Sequence, residues 1–364
     1  MRIPSIMDNL KSIKRMNRQN MSKHLDWVDG LKGVSAIIVV LQHILVTIFG
    51  LSVFTDFRIP VVHNLWDGNF AVSVFIILST MLTCHGIDKH RKELLKRYRY
   101  IVLKRYFRLV VPVGVIIVIM YLLNLAGLFY AEEFGAKTNN SWLMNSTETL
   151  IHLPGNILCA PLGGCYTILR VGWMLKYVFL GTMWVVILDL LLAERKNSSK
   201  LFLLAICTYI AWKCDFYYIN VVFGYAIYTF RDELRYGGAK KYILLLILLL
   251  IFCVSDLYYK TDQWNMVRAV CIVCLVFISN CFIKILSMKP LVLLGNISMN
   301  IYLLHMMVLY MITCRMANAL SLSLMDVSVM FVVTLLITIV LAYAYTKFVE
   351  IRLNGVVDKL LEKI

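Results

Sequence analysis

His43 stands in the middle of the first long apolar run of the chain, Lys32-Gly33-VSAIIVVLQ-His43-ILVTIFG. An ionisable side chain at membrane depth is costly, which marks it as a functional-site candidate by default. An imidazole is the natural general base near neutral pH. It can take a proton from a sugar hydroxyl, or carry an acyl group itself as a nucleophile. A second histidine, His305, lies deep in a later run, where Ser298, Tyr302 and His305 recur at helical spacing on one face. That much polarity on one stripe is expected to line a site. At 1.5 Å per residue, each histidine sits roughly 15–20 Å in from the cytoplasmic edge of its run. The two are therefore expected at one depth.

The cations suggest a second chemistry. Arg105-Tyr106-Phe107-Arg108 runs into an apolar stretch with Pro112 one turn later, and Lys32 opens the run that holds His43. A guanidinium holds phosphate in a fixed fork. This end suits either a cytoplasmic phosphate-bearing donor, such as a coenzyme A thioester, or an anionic lipid headgroup. Glu350, in Lys347-Phe348-Val349-Glu350, reads equally as an exposed interfacial acid or as a functional one. His63, His85 and His90 lie near run edges, and His24 and His152 lie in connections; all five read as interfacial or solvated. Cys271 and Cys274 form a CxxC inside a run of Val, Ile and Leu, and read as core rather than zinc ligands. No metal site is expected. Cys159 and Cys165 share a predicted external loop and are candidates for a disulfide. Neither GxGxxG nor a P-loop is present, which argues against a nucleotide-hydrolysing pump.

The elements that must position these groups follow from composition. The chain has 364 residues, is 60% hydrophobic and has a mean hydropathy of +0.77, far too apolar for a soluble domain. About ten runs approach the roughly 20 residues that a span needs. They are 33–52, 69–86, 109–130, 170–193, 201–213, 216–230, 242–256, 266–286, 292–312 and 327–347. The expected fold is an all-α, polytopic membrane helix bundle of about ten transmembrane helices; a β-barrel would alternate in short segments instead. The net charge of +16 comes from Lys and Arg in alternate connections, which places both termini in the cytoplasm and needs no nucleic-acid partner. The runs at 201–213 and 216–230 are short and aromatic, and are expected as half-helices or as a packed pair shielded from lipid. The 131–165 connection is long enough to line a site or form a lid. Residues 1–24 read as a basic, disordered cytoplasmic leader, 25–355 as the transmembrane domain and 356–364 as a cytoplasmic tail. No cleavable signal peptide is expected.

Taken in order, these segments resemble the acyltransferase-3 family of integral-membrane O-acyltransferases. Asp29-Gly30-Leu31-Lys32-Gly33 to His43 is similar to the family's opening D-G-L-R-G to H pattern. Ala71-Val72-Ser73-Val74-Phe75-Ile76-Ile77-Leu78-Ser79 resembles its second-span signature, and Arg105 to Arg108 with Pro112 its R-x-x-R segment. Trp173 with Leu175 is similar to its Trp-Leu helix, Leu294-Gly295 to His305 to its L-G-x-x-S-x-x-x-Y-L-L-H helix, and Lys347 to Glu350 to its closing F-x-E element. The likeness runs from about residue 25 to 355. Three departures stand out. Lys32 replaces the usual Arg, Thr80 stands where Gly commonly follows the Ser, and the acid often found after the fourth-span Trp is missing.

The resemblance implies transfer of an acyl group, usually acetyl, from a cytoplasmic acyl-CoA to a hydroxyl of an envelope glycan or its lipid-linked precursor. It implies His43 as catalytic base or acyl carrier, and Lys32, Arg105 and Arg108 as donor-binding groups. Trp173, Tyr302, His305 and Glu350 are the acceptor-side candidates. Acetyl-CoA, or another acyl-CoA, is then a donor substrate, with no permanently bound cofactor. The expected partners are the glycan or glycolipid acceptor, membrane lipids, and an envelope-biosynthesis partner or a second copy of the chain. The expected location is the inner or plasma membrane of a bacterial cell. A transporter or flippase for a charged glycan precursor is the competing reading.

Overall fold

Helices are the only regular elements among the described residues of the computed structural model, which are 26–50, 62–88, 94–143, 150–163, 168–236, 240–258, 262–320 and 322–361. The expected leader 1–24 lies outside them, as do His24, His90 and Cys165 of the candidate disulfide. Helix α1 covers Asp26–Phe49, and its first turn carries Asp26 and Asp29, where acids meet the positive end of the helix dipole. A 3-10 turn at Val62–Leu65 precedes α2, Gly68–Asp88. The long α3, Leu94–Leu125, contains Pro112. Two short helices, α4 (Ala131–Thr138) and α5 (Leu153–Cys159), fold within the long connection. A 3-10 turn at Arg170–Trp173 leads into α6, Met174–Leu192.

Then come α7 (Asn197–Cys214), α8 (Tyr218–Thr229), α9 (Arg231–Tyr236) and α10 (Lys240–Tyr258). Helices α11 (Asp262–Ile278), α12 (Asn280–Leu286) and α13 (Lys289–Asn296) follow. Helix α14, Ser298–Val308, continues through a π turn at Leu309–Thr313 into α15, Cys314–Ala319. The last long helix, α16 (Leu324–Tyr345), opens on a capping box made by Ser323 and Asp326. It passes through a second π turn, Thr346–Glu350, into α17, Ile351–Leu361.

Each of the ten apolar runs lies largely on helix, but among the described residues six helices are long and apolar enough to cross a membrane. They are Asp26–Phe49, Gly68–Asp88, Tyr98–Leu125, Arg170–Leu192, Ser298–Ala319 and Leu324–Leu361. The run at 266–286 is broken: α11 and α12 meet at 96°, because Ser279 between them is extended. The runs at 201–213, 216–230 and 242–256 form helices below that threshold. Helix α8 shows why. Its 12 residues rise only about 18 Å, against roughly 30 Å of hydrocarbon. It survives by burying Tyr218, Asn220, Val221, Val222 and Tyr225 against α2 and α6. Apolar side chains such as Leu336 and Val340 on α16, or Leu190 and Leu191 on α6, point outward. Such a surface suits lipid rather than water.

The tightest helix contact joins α1 to α13. Gly33 and Gly295 allow it, and Gly30 allows the same approach to the end of α12. A methyl group on Gly30 would lie 1.9 Å from the Leu286 carbonyl oxygen, one on Gly33 2.8 Å from the Gly295 amide, and one on Gly295 1.9 Å from the Asp29 carbonyl oxygen. Small residues let membrane helices approach backbone to backbone. This fixes α1 against α13 and hence against α14, which begins after Ile297 alone.

Candidate active site

The two deep histidines meet. His43 on α1 and His305 on α14 have ring centres 5.0 Å apart, and His305 Nε2 lies 3.3 Å from His43 Nδ1. His305 is fully buried, whereas His43 is partly accessible.

Each histidine has a carbonyl one turn back that fixes its tautomer. The Val39 carbonyl lies 2.9 Å from His43 Nδ1, and the Ile301 carbonyl 3.2 Å from His305 Nδ1. A carbonyl only accepts, so in the neutral pair both protons sit on Nδ1. His305 Nε2 then offers its lone pair to the same His43 N–H. This leaves His43 Nε2 unprotonated, without a hydrogen-bond partner among the described residues. In that tautomer the lone pair of His43 lies on Nε2, and His305 meets the opposite nitrogen of the ring. Should Nε2 gain a proton, the Val39 carbonyl and His305 Nε2 both face the new cation.

The surroundings of His43 come from segments that carry no periodic signal. The Trp142 ring lies 5.4 Å from its ring, and the Arg170 guanidinium lies 6.0 Å from the Trp142 ring centre. Asn140 donates to the carbonyls of Val46 (3.0 Å) and Thr47 (3.2 Å), which pins the long connection to the end of α1. Tyr302 lies 6.0 Å from His305, ring to ring, and donates to the Val171 carbonyl at 2.7 Å. Trp173 comes two residues later in the same 3-10 turn, its ring against Tyr177 and Tyr217. Ser298 does not join this group; its hydroxyl donates back to the Gly295 carbonyl.

The cations form a separate layer. Lys32 pairs with Asp29 at 3.1 Å and lies 5.9 Å from the Phe75 ring centre. Arg105 donates to Ser79 Oγ at 2.5 Å. Phe75 and Ser79 are one turn apart on α2, so Lys32 and Arg105 approach the same face of that helix. Lys32 and His43 are eleven residues apart on α1, or about 16 Å. Arg108 turns elsewhere. Together with Lys104 it holds Asp358 of α17, at 2.6 and 3.0 Å. Glu350 also lies apart from the histidines: it accepts from Asn300 at 2.6 Å, and so ties the second π turn to α14.

One further cluster corrects the sequence reading. His63 is buried rather than interfacial. Its Nε2 lies 2.8 Å from Arg268 Nη1, and Arg268 also contacts Asp67 and Asn265. A single Arg within an apolar run was the available signal. Cys271 and Cys274, by contrast, are buried in the apolar cluster with Val273 and Phe277.

Residues 25–345 match the acyltransferase-3 family model, described as an acyltransferase domain. The chain belongs to the acyltransferase-3 family. No curated protein and no solved structure matched the chain in the other two comparisons. Membership of this family, with six apolar helices of spanning length among the described residues, makes the protein a multi-pass membrane acyltransferase, and it does not favour the carrier reading.

Proposed function

We propose that this acyltransferase moves acetyl from acetyl-CoA to a hydroxyl of a cell-surface polysaccharide or lipid-linked glycan. The observation that carries the proposal is the histidine pair, in which His43 Nε2 keeps a free lone pair while His305 holds the opposite nitrogen. The acceptor hydroxyl gives its proton to His43 Nε2 as its oxygen attacks the thioester carbonyl. The carbon–sulfur bond breaks, and the proton passes to the departing thiolate, which leaves as coenzyme A thiol. General base assistance of this kind contributes about 10²–10⁴-fold.

The donor enters from the cytoplasm, with Lys32 and Arg105 on its diphosphate. The 16 Å or so from that layer to His43 suits the extended pantetheine arm. The acceptor approaches past Trp173 and Tyr302. In this arrangement the chain crosses a bacterial cell membrane about ten times, counting the short helices and the bent pair, with both termini inside. Arg108 and Glu350 support the site from outside it, through Asp358 and Asn300.

The test is glycan O-acetyl content in cells lacking the protein, complemented with wild type or His43→Ala at matched membrane levels. Wild type should restore the esters and His43→Ala should not. Full acetylation by His43→Ala would overturn this mechanism.

A further inference from the structure

A polar cavity of about 320 Å³ opens between the ends of α2, α6, α7, α8 and α9, and neither His43 nor His305 lines it. Asp88, Asp189, Lys200, Tyr228 and Arg231 line it. Both carboxylates of its lining are held in place. Asp88 accepts from the Tyr228 hydroxyl at 2.9 Å and pairs with Arg231 at 3.6 Å. Asp189 is buried and accepts from the Tyr98 hydroxyl at 2.8 Å. Lys200 is half-buried in the same wall, and its ammonium has no hydrogen-bond or ion-pair partner among the described residues.

These groups define a ligand by what they lack. The Lys200 ammonium calls for an anion. The remaining carboxylate lone pairs of Asp189 call for hydroxyl or amino hydrogens. The rings of Tyr225 and Tyr228 offer flat apolar faces in the wall. A nucleoside phosphate carries all three features in one small body, and a simple anion or a lipid chain does not.

The cavity also connects with the donor layer. Tyr98, which holds Asp189, and Arg105, which donates to Ser79, are seven residues apart on α3. Two turns of helix put them on one face, about 10 Å apart. A ligand seated in the cavity can therefore extend along α3 to Arg105.

We infer that this cavity takes the adenosine 3′-phosphate end of the acyl-CoA donor, with the 3′-phosphate on Lys200. The inference rests on the proposed donor. Along the bundle, the nucleoside end, the diphosphate and the thioester then fall at the cavity, at Lys32 with Arg105, and at His43.

The experiment compares wild type, Lys200→Arg and Lys200→Glu in native membranes, following thiol release from acetyl-CoA, acetyl-dephospho-CoA and acetyl-pantetheine. Lys200→Glu should raise the KM for acetyl-CoA about tenfold, the worth of one charge-assisted contact. It should leave the KM for the two donors without a 3′-phosphate unchanged, and Lys200→Arg should restore the preference. If Lys200→Glu alters all three donors alike, or none, the assignment is wrong. Calorimetric binding of adenosine 3′,5′-bisphosphate to the purified full-length protein tests the cavity independently of turnover. Binding lost in Lys200→Glu supports the cavity, and equal binding by both overturns it. An absence of thiol release by wild type would instead refute the donor reading, while the calorimetry still judges the cavity.

Discussion

Replacing Gly295 by alanine places a methyl carbon 1.9 Å from the carbonyl oxygen of Asp29. Backbone cannot yield as a flexible side chain does. Helices α1 and α13 must separate by at least about 1 Å to reach a contact found in real structures. Overpacking of this kind costs about 1–3 kcal/mol. The larger effect falls on the site. His43 rides on α1, and His305 rides on α14 just beyond Gly295, so the separation opens their 3.3 Å approach. His305 then no longer holds the Nδ1 proton of His43. A displacement of 1 Å at reacting groups costs on the order of 100-fold in rate. Purified Gly295→Ala should therefore melt somewhat below wild type and lose about two orders of magnitude in acyl transfer. Gly355→Ala, where a methyl group meets open space, serves as the control and should match wild type. Wild-type turnover by Gly295→Ala would refute the idea that the glycine contact sets the histidine geometry.

Other changes separate the parts of the site. His305→Ala should retain the fold but lower the transfer rate about 10²-fold or more, with little change in donor KM, since it removes the group that orients the base; a raised KM at normal kcat would contradict this. Asp358→Asn releases Lys104 and Arg108 from a partly exposed pair, so it should change stability by less than about 1 kcal/mol. Its donor KM should fall, because two more cations face the cytoplasmic end; a rise in KM would assign Asp358 a direct part in binding. Arg268→Leu removes a buried cation from buried His63 and half-buried Asp67 and should cost about 3–5 kcal/mol, measured as lowered thermal stability in detergent. An unchanged melting point would show that the cluster is not structural.

The helical class and the two histidines were legible because membrane depth can be counted in residues along apolar runs. His43 and His305 lie at comparable depth by that count, and the structure places them 3.3 Å apart. Counting along one helix says nothing of direction around it or of what arrives from elsewhere. Arg105 and Arg108 share a motif, yet Arg105 turns to Ser79 and Arg108 to Asp358, 250 residues away. His63 looked interfacial because its partner, Arg268, lies 205 residues later. The short, aromatic run of α8 did announce a packed segment, but hydropathy could not say that its buried residues would lie against α2, α6 and α7. The bend at Ser279 had no proline or glycine to announce it. Trp142 and Asn140 sit in a connection, where no periodicity points at a site.

The two π turns carry a consequence for how this chain can change through inheritance. Each is a place where a helix holds a residue beyond the regular count, and such turns occur frequently at functional positions. Every residue added to or removed from a helix turns the remainder of that helix by about 100°. Losing one residue within Thr346–Glu350 would leave α16 intact yet swing Asp358 away from Lys104 and Arg108. A loss within Leu309–Thr313 would likewise rotate α15 while sparing His305. At these two turns the number of residues matters more than their identity, so insertions and deletions, rather than substitutions, are the events that would set one branch of descendants apart from another.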